Sequence, residues 1–439
     1  MNFLRNLGLL VGLAVALAIW VMLPWQALLV LVALFALWMV FTRRGQQTAS
    51  ITAVGISTLK QRLGSSAVVV IGIAGVVAVL VALLAMSEGY ADTLRKTGSV
   101  DTAIVMRGGS ASEVMSGLDH DSVVVIQQAP GIARDAQGKP IASAEIVVAA
   151  NLPTKGGGPD DVGSVQLRGV DEQQAWIARP EVKIIAGRKF QTGMRELIVG
   201  KGAQRQFVGL EPGHDIKLGN QSWTVVGVFE TGNALESEVW GDGDIVAGTY
   251  RRGGSRASVT VKLADPKAFD AFKASLAADP RLKVDTETTI DYFSKQSEGT
   301  SKIISIIGIT VGLIMAIGAM FGALNTMFAA VATRAREIAT LRAIGFRGLP
   351  VVVAILLETM LLALIGGVLG GLLAWLIFNG YTASTMAAGS VGQLTFAFKV
   401  SPQLLVNGLK WALAIGFVGG FFPAVRAARL PVTTALRES

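Results

Sequence analysis

The residues best placed to do chemistry form a short charged run between two apolar stretches. The run is ATRAREIATLRAIGF, residues 332–346, and the flanking stretches are Ile303–Val331 and Val351–Phe378. On a helix, Arg334 and Glu337 stand three residues apart, so they can form an ion pair. The chemistry of this run is therefore charge pairing and recognition of a charged surface, not bond breaking.

The same run carries the marks of a short amphipathic helix. Ile338, Leu341 and Ile344 recur every three residues as a narrow apolar edge, and Gly345 is a natural helix stop. A helix of this kind can dock into a groove on a soluble partner. A solvated basic loop that only orients the chain in a membrane is the alternative, and the spacing leaves both open.

Metal binding and nucleophilic catalysis have little support in the sequence. The two histidines, His120 and His214, lie in polar stretches without nearby ligands, and the chain has no Cys. No metal site and no disulfide is therefore predicted. Asp119, His120 and Ser122 are adjacent along the chain, which does not provide the geometry of a catalytic triad.

Polar residues inside the apolar stretches are candidates for function because they are expensive to place in a membrane. Glu358 is the one acidic residue inside such a stretch, about two turns from its charged end, where it could pair with an arginine of the run. Handling of substrate or protons is the alternative role. Asn325 is the second polar candidate, and Lys410 with Trp411 is predicted to reach the outer membrane interface.

Glycine pairs in two of the apolar stretches predict close helix packing. They have the small-xxx-small spacing that lets two helices approach closely. The expected contact is either the seam of a dimer or packing within the chain, and the residues are Gly318 and Gly322, then Gly366, Gly367, Gly370 and Gly371.

The overall composition identifies a polytopic membrane protein. Of the 439 residues, 51% are hydrophobic, and several apolar runs reach the length that a spanning helix requires. Residues 88–300 hold 28 of the 31 acidic residues and 24 of the 39 Lys and Arg, so the remaining chain is strongly basic. This pattern indicates an acidic soluble domain between spans whose cytoplasmic loops are basic, and not a nucleic-acid-binding protein.

The N-terminal apolar stretch is predicted to be a membrane hairpin. It runs from Leu7 to about Val40 and is interrupted at Pro24 and Trp25, with Arg5 on its amino-terminal side. It is too long for the apolar part of a signal peptide and has no small-residue cleavage site. One long tilted span is the alternative to two short ones.

The segment between the first and second core spans has the mixture of predicted strands and helices that is typical of an α+β domain. Strands are predicted at Val123–Gln128 and Ala142–Asn151, and a hairpin at Asp215–Glu230 turning at Gly219-Asn220. Pro266–Asp279 predicts an amphipathic helix, and Leu152–Asp161 a flexible loop.

The predicted fold class is thus an α-helical polytopic membrane protein with a large α+β extracytoplasmic domain inserted between the first and second core spans, and an extra N-terminal hairpin. The predicted segments are that hairpin (1–46), a cytoplasmic interfacial elbow helix (47–65), core span one (66–87), the α+β domain (88–300), core span two (301–333), a cytoplasmic loop (334–349), core span three (350–379), a short outer loop (380–402), core span four (403–425) and a cytoplasmic tail (426–439).

Three ordered motifs resemble the MacB/FtsX family of ABC-transporter permeases. They are NTMFAAVATRAREIATLRAIGF (325–346), LLETMLLALIGGVLGGLLAWL (356–376) and FFPAVRAARLPVTTALRES (421–439). Residues 196–230 also resemble the periplasmic core of that family, and the likeness extends over roughly residues 51–439. The N-terminal hairpin departs from the family pattern.

The resemblance implies a dimeric permease that works with a nucleotide-binding subunit. The charged run would be the coupling element to that ATPase, through Arg334, Arg336, Glu337, Ile338, Leu341, Arg342 and Gly345. A P-loop, GxxxxGK[ST], is missing, because Gly138-Lys139 and Gly200-Lys201 do not fit it. The expectation is therefore no enzymatic activity and no cofactor in this chain, with ATP and Mg bound by a partner.

The resemblance leaves several functions and partners open. The leading expectation is an inner-membrane permease that exports or extrudes substrate from the periplasmic side, through movement of its outer domain driven by cytoplasmic ATP hydrolysis. The alternatives are a transmembrane scaffold that activates a cell-wall hydrolase, and a lipoprotein-releasing permease. The expected partners are an ABC ATPase, a second identical or related permease chain, a periplasmic adaptor and membrane lipid.

Overall fold

The structure is a computed structural model, and it describes residues 19–57, 59, 63–156, 161–386 and 392–429. The chain divides into two compact units. The helical unit comprises Met1–Met86, Ile304–Asn379 and Lys399–Ser439, and the sheet unit comprises Ser87–Ile303 and Gly380–Phe398.

The α-helices follow the apolar and amphipathic segments of the sequence. In chain order they are α1 (Trp25–Phe41), α2 (Arg43–Ser57), α3 (Leu63–Arg95), α4 (His120–Gln127), α5 (Glu172–Ala178), α6 (Lys201–Gln206), α7 (Gly243–Thr249), α8 (Phe269–Ala278), α9 (Thr289–Thr333), α10 (Ala335–Ala343), α11 (Gly348–Phe378) and α12 (Pro402–Arg429).

Four helices of the described chain are long and apolar enough to cross a membrane, namely α3, α9, α11 and α12. Helices α1 and α2 are bent by 98° at the break between them and would add a fifth span if counted together. Residues 1–18 lie outside the described residues, and they include most of the first arm of the predicted hairpin. Residues 58 and 60–62 of the predicted elbow helix also lie outside them.

Ten strands of the described chain form one mixed sheet. The strands are β1 (Thr102–Arg107), β2 (Ala142–Pro153), β3 (Val162–Val170), β4 (Lys183–Gly187), β5 (Glu196–Gly200), β6 (Asp215–Leu218), β7 (Gln221–Glu230), β8 (Glu238–Asp242), β9 (Ser258–Lys262) and β10 (Val284–Thr288). Their order is β10-β1-β9-β2-β3-β8-β5-β7-β4, with β6 paired to β7. The pairs β3–β8 and β5–β7 are parallel, and the other pairs are antiparallel.

Of the apolar clusters described in the sheet unit, two contain the most buried residues. One surrounds the fully buried Trp223 and Phe207 between β2, β3, β5 and β7, and the other surrounds Phe272 and Ile126 beside β1 and β9. A small hairpin of β11 (Thr382–Met386) and β12 (Gln393–Ala397) lies within the segment that was predicted as a short outer loop. The fold class predicted from the sequence is confirmed.

Most of the local predictions for the sheet unit are confirmed. Strand β2 covers Ala142–Asn151, and a short 3-10 turn followed by α8 covers Pro266–Ala278. The hairpin turns at Gly219 and Asn220, whose φ angles of 55° and 62° are those of a tight hairpin turn.

Two local predictions need correction. Val123–Gln128 is not a strand but lies almost wholly in helix α4, because Asp119 caps its first turn by accepting the Ser122 N–H at 2.7 Å. Val123 and Ile126 then face the core at helical spacing, which outweighs the strand preference of the β-branched residues. In the predicted loop, Leu152 and Pro153 belong to β2, and residues 157–160 lie outside the described residues.

Candidate functional site

The candidate site is the short helix α10 and the residues on which it is seated. Helix α9 ends at Thr333, and Arg334 breaks the helical path with φ −105° and ψ 8°. Helix α10 ends before Gly345, whose φ of +107° is open to glycine at little cost, and α11 begins at Gly348. The charged run is therefore a separate helix between two long apolar ones.

One face of α10 is fixed to the helical unit by apolar packing. Ile338 and Ala339 are buried, and Leu341 is half-buried. Ile338 packs in a cluster with Met327, Val331, Val351, Ile355, Ala424 and Ala427. The predicted apolar edge is correct for Ile338 and Leu341 and wrong for Ile344, which is 69% exposed. The helix ends at Ala343 and Ile344 is its C-cap, so the last residue of the predicted edge lies beyond the helix.

The opposite face of α10 is exposed and charged. Arg336, Glu337 and Thr340 are exposed there, and Ile344 adds an apolar residue at its end. A helix with one face anchored and the other carrying both charges and an exposed isoleucine can recognise a protein surface. Arg342 is half-buried on the same helix.

An ion pair connects the start of α10 to α11. The Arg334 guanidinium donates from Nη1 to Glu358 Oε2 at 2.9 Å, and Nε of the same residue lies 3.4 Å from Glu337 Oε2. The Glu358 side chain is 7% exposed and that of Glu337 is 65% exposed. Both pairings considered from the sequence are present, so the buried acid of α11 is neutralised by an arginine of the charged run.

Several of the predicted residues line one small cavity of about 50 Å³. Its lining includes Arg334, Glu337, Ile338, Leu341 and Glu358, with residues of α2 on one side. Asn325 does not line this cavity and is exposed on α9. The two polar residues predicted inside the apolar stretches are therefore not partners.

The predicted glycines divide into two groups. A Cβ on Gly366 would lie 2.8 Å from the Val70 carbonyl, and one on Gly367 would lie 2.7 Å from the Ala412 Cβ. Gly370 and Gly371 approach α3 and α12 in the same way, so this set packs within the chain. By contrast, a Cβ on Gly318 or Gly322 would meet nothing within 4 Å, which leaves that stripe of α9 open.

Lys410 is buried inside the helical unit, and its predicted place at the outer membrane interface stays a prediction. It is 4% exposed, and its Nζ donates to the Leu23 carbonyl at 2.7 Å and lies 3.4 Å from the Val21 carbonyl. In return the Trp20 indole N–H donates to the Lys410 carbonyl at 3.2 Å. The ammonium group is held at the end of a helical turn, because free carbonyls there attract a positive charge.

The sheet unit contains a buried ionic network that the sequence analysis missed. Arg168 on β3 is 1% exposed and uses all five of its N–H donors on three carboxylates. The partners are Glu113, Glu145 and Glu238, at 2.7 to 3.0 Å. An arginine inside a mostly buried strand was the available signal, but its partners lie far away along the chain.

A second arginine completes this network. Arg179 donates to both oxygens of Glu145, at 2.5 and 2.9 Å. Burial alone would raise the pKa of Glu145, but the charges and hydrogen bonds of Arg179 and Arg168 outweigh it and hold that pKa below its ordinary value. Burial would lower the pKa of Arg168, but the carboxylates of Glu113 and Glu238 raise it well above its ordinary value. Glu145 and Arg168 are therefore both held in their charged forms at neutral pH.

Comparison with known proteins gives the same division of the chain. A model of the MacB-like periplasmic core domain matches residues 66–279, and a model of the FtsX-like permease C-terminal region matches residues 309–432. The N-terminal residues 1–65 precede both matches.

Curated relatives match most of this chain. The Macrolide export ATP-binding/permease protein MacB of Photorhabdus laumondii is 29% identical over 255 residues, which is 55% of this chain and 38% of that protein. The protein of the same name from Shigella boydii is 25% identical over 389 residues, or 84% of this chain and 57% of that protein. The chain thus spans between about a third and three fifths of the length of these relatives.

Solved structures of extracytoplasmic domains are also similar in part. The extracellular domain of the ABC-type transporter YknZ from Gram-positive bacteria aligns at 14% identity and a TM-score of 0.33, covering 43% of this chain and all of that one. The periplasmic region of MacB from Actinobacillus actinomycetemcomitans aligns at 13% identity and a TM-score of 0.35, covering 45% of this chain and 93% of that one.

Proposed function

Because this chain belongs to the MacB/FtsX-like family of ABC-transporter permeases, we propose that it couples ATP hydrolysis in a separate subunit to movement of its extracytoplasmic domain. The observation that carries this proposal is the two-faced character of α10. Its buried face is fixed to α9, α11 and α12, while its charged face is exposed between two spanning helices. A force applied to that face would be delivered to the spans themselves.

The ATP and Mg are proposed to bind to an ABC ATPase partner. No P-loop occurs in these 439 residues, whereas the similar MacB proteins have both ATP-binding and permease in their name. The exposed Arg336 and Glu337 provide charges of both signs for that partner. We place α10 on the cytoplasmic side because Arg334 and Arg347 flank it and Arg342 lies on it, as the positive-inside rule expects.

The sheet unit is proposed to act on substrate at the outer side of a cytoplasmic membrane. Its acidic composition and its match to a periplasmic core domain support this side. Two charged residues within the spans, Glu358 and Lys410, are engaged by Arg334 and by backbone carbonyls. Neither is available to line a polar path, which favours a mechanism in which movement crosses the membrane and substrate is extruded outside, with a periplasmic adaptor receiving it.

A second permease chain is proposed to cover the open side of α9. In the most apolar 18-residue stretch of this helix, 17% of the residues are buried, compared with 44% to 56% in the same stretch of the other three spans. Gly318 and Gly322 provide a smooth stripe there, on which another helix can pack closely. The partner would be an identical or a related chain.

The same engagement of Glu358 and Lys410 also suits a second function, a scaffold that activates a cell-wall hydrolase without transport. The two functions share the movement and differ in its target. ATP-dependent release of a compound from cells that depends on this chain supports extrusion. ATP-dependent activation of a hydrolase by the purified complex, with no compound released, supports the scaffold.

The proposal is tested by reversing one charge on the exposed face of α10. Glu337→Lys should weaken co-purification of the ATP-binding subunit from native membranes at least tenfold, because an unpaired charge at an interface costs about 2–5 kcal/mol. Glu298→Lys, the same change at an exposed position in the extracytoplasmic part of α9, is the matched control and should retain the subunit. Equal recovery of the subunit with Glu337→Lys and wild type would refute the assignment of α10.

A further inference from the structure

The ion pair beneath α10 has a geometry that goes beyond neutralising a buried acid. Arg334 lies at the break between α9 and α10, so its backbone belongs to neither helix. Its guanidinium reaches inward to Glu358 on α11 and outward to Glu337 on the exposed face of α10. One side chain therefore joins the exposed charged face to a buried position of a spanning helix.

A third helix is packed against the same pair. A Cβ placed on Gly55 of α2 would lie 3.2 Å from Glu358 Oε2 and 3.9 Å from Arg334 Nη1. A contact of 3.2 Å is tighter than a side chain normally allows, so α2 rests on the ion pair through a residue that has no side chain. Gly55 itself is buried.

The surroundings make the pair costly to separate. Ile51, Val54, Met327 and Ile355 line the small cavity beside it, and the Glu358 and Arg334 side chains are 7% and 15% exposed. Removing one partner of a buried ion pair leaves an uncompensated charge, which is strongly unfavourable. The pair is therefore expected to stay closed while the helices attached to it move.

We propose that Arg334 is a positioning residue that makes α2, α10 and α11 move as one body, through its pairing with Glu358 under the Gly55 contact. This inference rests on the proposed function, because it states how a push on α10 would reach the spans. A push would then be delivered to α11 and to the amphipathic helix α2, and not only to α9, which is continuous in sequence with α10. Residues 43–57 precede both family matches, so this role of α2 concerns a part of the chain that those models do not cover.

The test measures the distance between α2 and α10 in the full chain with its co-purified ATP-binding subunit. The chain has no Cys, so spin labels can be attached at Ser50→Cys and Ala343→Cys, which are both exposed. In wild type the distance distribution should be narrow and unchanged between the nucleotide-free state and the state trapped with Mg-ATP and vanadate. In Glu358→Gln it should broaden and shift between the two states, while the ATP-binding subunit still co-purifies.

Three further variants keep the result interpretable. Adding Arg334→Gln to Glu358→Gln should change the distances no further, because the pair is already broken, and Glu298→Gln should match wild type. Gly55→Ala should shift the distance even without nucleotide. A wild-type distance that changes with nucleotide as much as that of Glu358→Gln overturns the proposal, and so does a large additional effect of Arg334→Gln.

The experiment also separates this inference from the proposed function. If wild type recovers no ATP-binding subunit, the proposed function fails. The nucleotide-free distances of wild type, Glu358→Gln and Gly55→Ala still test whether α2 is linked to α10 and α11. If the subunit is recovered and those three distance distributions are the same, the proposed link between α2, α10 and α11 is wrong and the proposed function stands.

Discussion

The sheet unit and the helical unit each pair an arginine with a buried carboxylate, and they hold that arginine in different ways. Arg168 has all five N–H donors on three buried carboxylates inside the sheet. Arg334 has one buried carboxylate, Glu358, and one exposed carboxylate, Glu337. The first is enclosed on every side, and the second lies at a helix break and reaches the surface.

This difference indicates two different uses of a buried charge. A network whose donors and acceptors are all matched inside a sheet has no low-energy alternative arrangement, so it fixes the strands that contribute to it. A pair that also contacts an exposed residue can pass a force applied at that residue to a buried position of a spanning helix. We interpret the Arg168 network as an internal support of the sheet unit, and the Arg334 pair as a rigid link that carries a push on the exposed face of α10 to α11 and α2.

The largest expected effect is at Arg168. Arg168→Met should destabilise the sheet unit by about 3–5 kcal/mol, because three buried carboxylates lose their shared partner. Arg168→Lys should restore little of this stability, since an ammonium group has three donors and lacks the planar fork of arginine. Thermal unfolding and limited proteolysis of the full chain would measure the loss.

The matched change in the helical unit sharpens the comparison. Arg334→Lys should leave the unfolding temperature of the sheet unit unchanged. It should also lower the free energy of unfolding of the whole chain less than Arg168→Lys does, because a lysine can still approach the one carboxylate of Glu358. Equal destabilisation by Arg168→Lys and Arg334→Lys would contradict the distinction between an enclosed network and a link that reaches the surface.

Lys410 gives an intermediate case, a buried cation whose described partners are the Asn407 side-chain oxygen and backbone carbonyls. Lys410→Met should release the turn at Trp20–Pro24 from α12, because hydrogen bonds to a charged group are worth about 1.5–3 kcal/mol. Amide hydrogen exchange of residues 19–23 should become at least tenfold faster, while exchange in the buried part of α11 stays unchanged. Unchanged exchange at residues 19–23 would show that Lys410 does not hold this turn.

The sequence was sufficient where a feature depends on local spacing. The charged run has helical periodicity and a glycine stop, and it is a helix with that end. The depth of Glu358 along α11 placed it near the arginines of the run, and the pair is present. The turn at Gly219-Asn220 follows from the backbone angles that these residues tolerate.

The sequence was insufficient where a feature depends on distant contacts. Lys410 and Leu23 are 387 residues apart, and Arg168 and Glu238 are 70 residues apart, so local patterns do not connect them. At Val123–Gln128 the local preference for a strand was outweighed by a capping aspartate and by burial of one helical face. The role of the open Gly318 and Gly322 stripe likewise depends on a second molecule, and the dimer remains a prediction.

The most direct test of the coupling assignment is capture of the partner from the exposed face of α10. Thr340→Cys, carrying a thiol-directed photo-crosslinker, is exposed on that face, and Lys217→Cys is an exposed control in the sheet unit. We predict that Thr340 captures a protein whose sequence, identified by mass spectrometry, contains a P-loop, and that Lys217 does not. Capture of the P-loop protein from Lys217 and not from Thr340, or from neither position in active membranes, would contradict the account.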